Sequence, residues 1–500
     1  MKKIFYISLI SLSFGMISCE DNLDITPTYI LNEKNAVTND IQARSVVNGI
    51  YQTIVESDEF SGKLYSALAS KSGFFLSSTG DYEMIYSESN ETTTNITNRW
   101  LDYYTTLNAA NFAITKIEQL SETQIEDEDK TTLLAEAKCL RAFANMNLFW
   151  NYGHWWSTDD SNPNGILYRD KPITAETIEG ARLNVGDSYQ KIFDDLDFAI
   201  NNLPSFTSSK FVSKQFAKVL KAKILLYRNG FNDGAGDFAE ALTLVNDVLN
   251  NGVAGFSMQP DLAKVYEDSW DSEENLFSGY ISDNADRVNN VSYFYSFSLI
   301  MSHSNRLPLF TGQQLDAGLN AGFDWFSEDP RWDIVTGKAR APILWDKVER
   351  FTFTKVARLG KLAGQEASPQ DLKFNTYFFR YPELYILKAE LLARTGASIT
   401  EAIAPINEMR SKRTNPVLPS LNPQNEQELK DMIFKEYFLE TFLENGSEYF
   451  ASLRFKDNAG LLWIESFRNG TPISFNRLCY PIPSQEMELN SKMTQNTDLE

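Results

Sequence analysis

Leu133-Leu134-Ala135-Glu136-Ala137-Lys138-Cys139-Leu140-Arg141-Ala142-Phe143-Ala144-Asn145-Met146-Asn147-Leu148 is the stretch from which the fold can be read. Within it Leu133, Ala137, Leu140, Ala144 and Leu148 recur at steps of four, three, four and four, which lines one face of a long helix. Glu136, Lys138 and Asn145 fall on the far side of that helix.

The same period returns downstream. Tyr189, Ile192, Leu196, Ala199 and Leu203 make a second stripe, stopped by Pro204. Phe216, Leu220, Ile224 and Tyr227 make a third, with Lys214, Lys218 and Lys221 outside and Asn229-Gly230 as the stop. Residues 237–250 read as its antiparallel mate. Late in the chain Tyr381–Arg394 ends at Gly396 and pairs with Thr400–Arg410, and residues 426–444 add another helix. Helix, short turn, helix, repeated with an irregular period, is a tetratricopeptide-like arrangement. The expected fold is therefore mainly α, with a scaffold of such pairs over about 36–251 and 375–455. Between about 252 and 374 the pattern breaks at Asn284–Asn290, Ser302–Pro308 and Gly360–Pro369. This stretch is too long for a loop and reads as an inserted, loop-rich ligand-binding region. Residues 72–98 share its loop character.

The amino terminus carries an address. Lys2-Lys3, an apolar run from Ile4 to Ile17 and Ser18 before Cys19 read as a secretory signal over residues 1–18. A cysteine at the first mature position reads as the lipidated residue of a bacterial lipoprotein. Each buried methylene of a palmitate-like chain contributes ~0.8 kcal/mol, so several chains anchor durably. No later apolar run approaches the ~18 residues of a membrane helix, which leaves Cys19 as the expected membrane attachment. Loss of Lys2 and Lys3 moves the formal charge from −21 to −23 over the mature 19–500. Such an acidic body disfavours nucleic acid and anionic membrane surfaces and suits a neutral or cationic ligand, while solubility alone accounts for the charge equally well.

The residues argue against metal, cofactor and catalytic machinery. Cys139 lies in a helical pattern, and with Cys479 it forms no disulfide framework or metal spacing, so both read as buried thiols. His154 and His303 are far apart, which gives a zinc site or a Ser-His-Asp triad little to draw on. No Gly-x-Ser-x-Gly occurs. Glu126-Asp127-Glu128-Asp129 lacks a calcium-loop pattern and reads as a solvated turn. With 67 acidic residues, the presence of a glycosidase-like carboxylate pair carries no information.

Five blocks then occur in order: Trp100…Tyr104…Asn111; Ala135-Glu136-Ala137-Lys138, Leu140-Arg141-Ala142 and Tyr152-Gly153; Tyr189…Asp195-Leu196…Ala199…Leu203-Pro204; Arg380-Tyr381-Pro382-Glu383…Ala389-Glu390; and Tyr480-Pro481-Ile482-Pro483…Glu486…Asn490…Gln495-Asn496. In these the chain resembles the SusD/RagB family of outer-membrane nutrient-binding lipoproteins, over essentially the whole mature protein. It departs from the family at His154-Trp155-Trp156, at Ser491 and in the block Glu436-Tyr437…Glu440-Thr441…Glu444-Asn445-Gly446, where the usual Arg and Leu are replaced. The resemblance implies a single compact body on the cell surface, lipid-anchored in the outer membrane above a SusC-like TonB-dependent barrel. Such proteins act as the lid of the barrel and capture oligosaccharides or, in some members, peptides.

A saccharide offers apolar ring faces and a rim of hydroxyls, so its binder needs flat aromatic platforms beside polar side chains. Tyr82, Trp100, Tyr293, Tyr295 and Trp325 are the candidates, in regions that resemble those forming the glycan site of the family. Core packing competes for each of them, and Trp100 at helical spacing from Tyr104 fits an interior as well. Glu136 and Arg141 read as a structural polar pair. Besides peptide capture, a surface glycoside hydrolase and an adaptor that only clamps the barrel are the competing functions.

Overall fold

The computed structural model describes residues 36–57, 59–60, 68, 71–77, 91–92, 94–231, 236–281, 299–301, 323–340, 349–353, 355, 374–497 and 499. Among these, helices dominate, as the periodicity predicts. They are α1 (Asp40–Glu56), α2 (Thr94–Glu118), α3 (Asp127–Tyr152), α4 (Val185–Asn202), α5 (Lys214–Gly230), α6 (Phe238–Asn250) and α7 (Leu262–Asp268). After the central region come α8 (Trp332–Val335), α9 (Tyr381–Arg394), α10 (Ile399–Lys412), α11 (Glu426–Thr441), α12 (Ser447–Ser452), α13 (Trp463–Ser466) and α14 (Ser484–Leu489). Side-chain caps open several of them: Asn39, Asn184, Ser213 and Asn425 each accept a backbone N–H, and Ser398 forms a capping box with Glu401.

Successive helices pack on one another from α2 through α6. Then α9 packs on α6, with α10 and α11 beyond it, while α1 lies across α2 and α3. This is the stacked helix-pair scaffold. α3 is its central member, and that changes the reading of its far side. Glu136 and Asn145 are buried because neighbouring helices cover more than one face of α3. Nor do Glu136 and Arg141 pair with each other. Five residues apart, they point to different sides of the helix. Glu136 takes a bidentate Arg44 at 2.8 Å, whereas Arg141 donates to Asp195 at 2.7 and 2.8 Å and to Asn111 at 2.9 Å.

Short antiparallel strands make up the rest: β1 (Phe75–Ser77) with β3 (Leu299–Met301), β2 (Asn275–Ile281) with β6 (Phe374–Arg380), and β4 (Gly337–Arg340) with β5 (Glu349–Thr352). The β2–β6 pair closes the base of the central region. Its two ends return to the same place, where Tyr381 N–H donates to Glu274 C=O at 2.8 Å and β6 runs directly into α9. Residues 72–98, read as loop, contain β1 and the first turn of α2. Cys139 and Cys479 are buried and unpaired.

Candidate ligand-binding site

The last turns of α11 place Glu436 and Glu440 one turn apart, and Glu444 follows just beyond the helix. All three carboxylates are almost wholly buried. A buried carboxylate needs a paired cation, and these find five. Arg331 donates to Glu436 at 3.0 and 3.1 Å and to Glu440 at 3.1 Å. Arg380 reaches Glu274 at 2.6 Å, Glu440 at 3.1 Å and Glu444 at 2.8 and 2.9 Å. Arg413 bonds Glu440 at 2.8 Å and also Glu274, Arg410 bonds Glu436, and Lys355 lies 3.0 Å from Glu444. Burial alone would raise the Glu440 carboxyl, but Arg413, Arg380 and Arg331 overcome it and hold it far below the usual carboxylate range. Burial pulls the Lys355 ammonium down to about 8, against the pull of Glu444.

This clamp ties the central region to the scaffold, since Glu274, Arg331 and Lys355 belong to the former and α11 to the latter. Arg331 also holds Asp329 at 2.8 Å, which fixes the turn just after residues 323–326. Phe326 is wedged edge-on among Trp332, Phe438 and Phe442, with centroids 5.1–5.3 Å away. Trp325, beside it, is only partly buried. Its ring meets Phe438 at 5.5 Å, Trp463 at 5.9 Å and Phe74 at 6.5 Å. Phe434 stacks on Trp463 at 4.4 Å beneath. Lys435 brings its ammonium to 5.6 Å from the Trp325 centroid and 6.0 Å from that of Trp463, held there by Asp431 at 2.7 Å. The indole Nε1 of Trp325 is itself buried and has no hydrogen-bond partner among the described residues. The part of the indole left uncovered and the flanking Lys435 ammonium offer sugar-ring packing and hydroxyl recognition.

The other candidates fall differently. Trp100 is 4% exposed, its ring covered by Tyr104 at 4.8 Å and Tyr152 at 5.0 Å. Tyr82, Tyr293, Tyr295 and Cys19 lie outside the described residues. Sequence reasoning missed Lys435, Trp463 and the clamp. The signal for the clamp was Glu436, Glu440 and Glu444 at steps of four among Tyr437, Phe438, Leu439, Phe442 and Leu443, carboxylates set in an apolar run.

The motif blocks are structural where they are described. Tyr104 Oη donates to Leu167 C=O at 2.6 Å, and Asn111 Nδ2 to Arg169 C=O at 2.8 Å. At the tail, Asn496 Nδ2 donates to Tyr152 C=O at 3.0 Å and Tyr480 C=O at 2.8 Å, while Asn490 exchanges two bonds with Gly180. Gln495 does the same with Ile482. These amides strap the carboxyl end across the end of α3. Gly446, at φ +76°, has a backbone that disfavours side chains, and a Cβ there would overlap Leu68.

Among the described residues no group of His, Cys, Asp and Glu could hold a metal ion. His154 is buried and stacked on Trp156 at 4.7 Å, and His303 lies outside the described residues. Burial pushes the Glu448 carboxyl up to about 7, against the hydrogen bond that it accepts from Leu443 N–H at 2.9 Å. That carboxyl is wholly buried, so its raised value reflects desolvation in the interior.

Comparison with known proteins follows the same outline. A SusD-family model matches residues 227–498, and one described as starch-binding associating with outer membrane matches residues 23–224. A SusD-like protein of Bacteroides ovatus is 27% identical over 185 residues, 36% of this chain and 31% of that protein. The matched stretch thus spans less than a third of that relative. A SusD superfamily protein from Bacteroides thetaiotaomicron superposes with a TM-score of 0.68 at 18% identity, over 92% of this chain and 99% of the other. A laminarin-binding SusD-like protein gives 0.65 at 18% identity, over 92% and 100%. At these identities the superpositions establish a shared fold.

Proposed function

The chain belongs to the SusD/RagB family, and on that premise we propose that it captures oligosaccharides at the cell surface and delivers them to a TonB-dependent outer-membrane transporter. Residues 1–18 serve as the signal, Cys19 carries the lipid in the outer membrane, and residues 19–500 form one functional unit that works as the lid of the barrel. The match of family models to both halves of the chain carries this reading. The surface at Trp325 supplies fitting chemistry, and a neighbour of the same fold binds laminarin.

Capture needs no bond cleavage. Stacking on Trp325, together with aromatics from Tyr82, Tyr293 and Tyr295, would hold sugar rings while polar side chains fix hydroxyls. Such contacts exchange water hydrogen bonds for protein ones, so each contributes modestly, about 0.5–1.5 kcal/mol. The test is calorimetry and tryptophan fluorescence on the full chain in detergent against a panel of oligosaccharides and short peptides. Saturable binding of one glycan class without hydrolysis products is the expected result. Binding of peptides alone would move the protein to peptide capture, and hydrolysis would make it an enzyme. Cys19→Ala is expected to release the protein from the outer membrane in cell fractionation, and full retention would refute the anchor.

A further inference from the structure

A pocket of ≈ 370 Å³ opens on the scaffold where α6, α9, the start of α11 and residues 454–456 meet. Its lining includes four cations, Arg394, Lys430, Arg454 and Lys456, with Gln427 and a single carboxylate, Glu390. On a chain of formal charge −21, such an excess of positive charge in one concavity is out of character.

The charges within it are unevenly satisfied. Glu390 is already shared: Arg454 donates to it at 2.8 and 3.0 Å and Arg394 at 2.8 Å. Burial works to raise that carboxyl, yet Arg454 and Arg394 hold it down at about 2, so it stays ionised and fully engaged. Arg454 is itself 7% exposed, and its Nη1 has no hydrogen-bond partner among the described residues. Lys430 and Lys456 are exposed and have no carboxylate partner among the described residues. The acid next in sequence to Lys456, Asp457, is turned away and used up by Ala459 N–H, Leu461 N–H and Ser466. Gln427 is held in place by donating to Lys456 C=O at 2.9 Å, which leaves its carbonyl oxygen as an acceptor.

We infer that this pocket binds an acidic sugar, its carboxylate taken by Lys430 and Lys456 and its hydroxyls by Gln427 and the lysine ammonium groups. A carboxylate alone would leave most of ≈ 370 Å³ empty, whereas a sugar carrying that carboxylate uses much more of it. The choice of a sugar as carrier rests on the glycan-capture reading, whereas the anion preference rests on the pocket alone. The site is separate from the Trp325 surface. Charge recognition at exposed ammonium groups is screened by salt, so binding weakens as ionic strength rises.

The test is calorimetric titration of the full chain in detergent with glucuronate, glucose and acetate at low salt. It is repeated on the Lys430→Glu/Lys456→Glu double variant and on Trp325→Ala. Glucuronate is expected to saturate the wild type, with glucose and acetate at least tenfold weaker. The double variant should lose at least tenfold, and Trp325→Ala should leave glucuronate binding unchanged. Acetate as tight as glucuronate would overturn the sugar assignment. Equal binding by the double variant, or no binding by the wild type, would overturn the site. Because Trp325→Ala and the lysine variant are read separately, failure of this pocket and failure of the glycan-capture surface are told apart.

Discussion

The scaffold and the central region are held together by different balances of apolar packing and buried charge. Helices α2 to α6 satisfy their own backbone groups and stack chiefly on apolar stripes, with the Arg141–Asp195 pair buried between α3 and α4: Leu140, Ala144 and Leu148 of α3 are all at or below 1% exposure. The described part of the central region has strands of at most seven residues and no long helix, so it cannot bury a continuous stripe. It is fastened instead by Glu274, Arg331 and Lys355 reaching into a buried lattice of charge on α11 and its neighbours. Apolar packing tolerates gradual loss, whereas a buried charge lattice fails when one member is removed. The segment carrying Trp325 depends on both, through the ion pairs of Arg331 and the wedge of Phe326 against Phe438 and Phe442.

The largest effect is expected from breaking that lattice. Arg380→Met leaves Glu274, Glu440 and Glu444 short of a cation and should cost ~3–5 kcal/mol, the range for an unpaired buried charge. Urea denaturation measures the loss, and limited proteolysis should cut residues 252–374 before the helices. Uniform cleavage would contradict the division. Leu140→Ala tests the scaffold and should cost ~2–5 kcal/mol through lost burial and a cavity. Cleavage of the central region should then be no earlier than that of the helices.

A smaller effect concerns pH. The Glu448 carboxyl is raised to about 7 by burial, so over the range between its unfolded value, near 4.3, and about 7 the folded state holds more protons than the unfolded one. Its contribution to stability therefore falls as pH rises through that window and levels off above it. Glu448→Gln should remove the fall, so that the variant gains on the wild type between denaturation measured at pH 5 and at pH 7.5. An equal difference at both values would place the titration elsewhere.

Much of the helical scaffold was legible because its signal is local and periodic. Tyr381–Arg394 is marked at its end by Gly396, and the helix occupies those residues. β6 escaped because Phe374-Asn375-Thr376-Tyr377-Phe378-Phe379 abuts α9 without a turn, and its partner β2 lies far back in sequence. The ion pairs escaped for the same reason: which arginine meets Glu440 depends on the folded topology, and nothing near Arg331 or Arg380 in sequence announces the partner. Trp100 had the right residue type in the right block, but its helical spacing to Tyr104 reflected core packing, and the two rings are in contact. Trp325 could be picked out by type and region, though its neighbours Lys435 and Trp463 come from other elements.

The most direct test of the account is calorimetric titration of the full chain and of Trp325→Ala with the glycan that the panel selects. Binding at least tenfold weaker, about 1.4 kcal/mol, with an unchanged circular dichroism spectrum is the result expected of a capture surface built on Trp325. Equal affinity in the two proteins would contradict it.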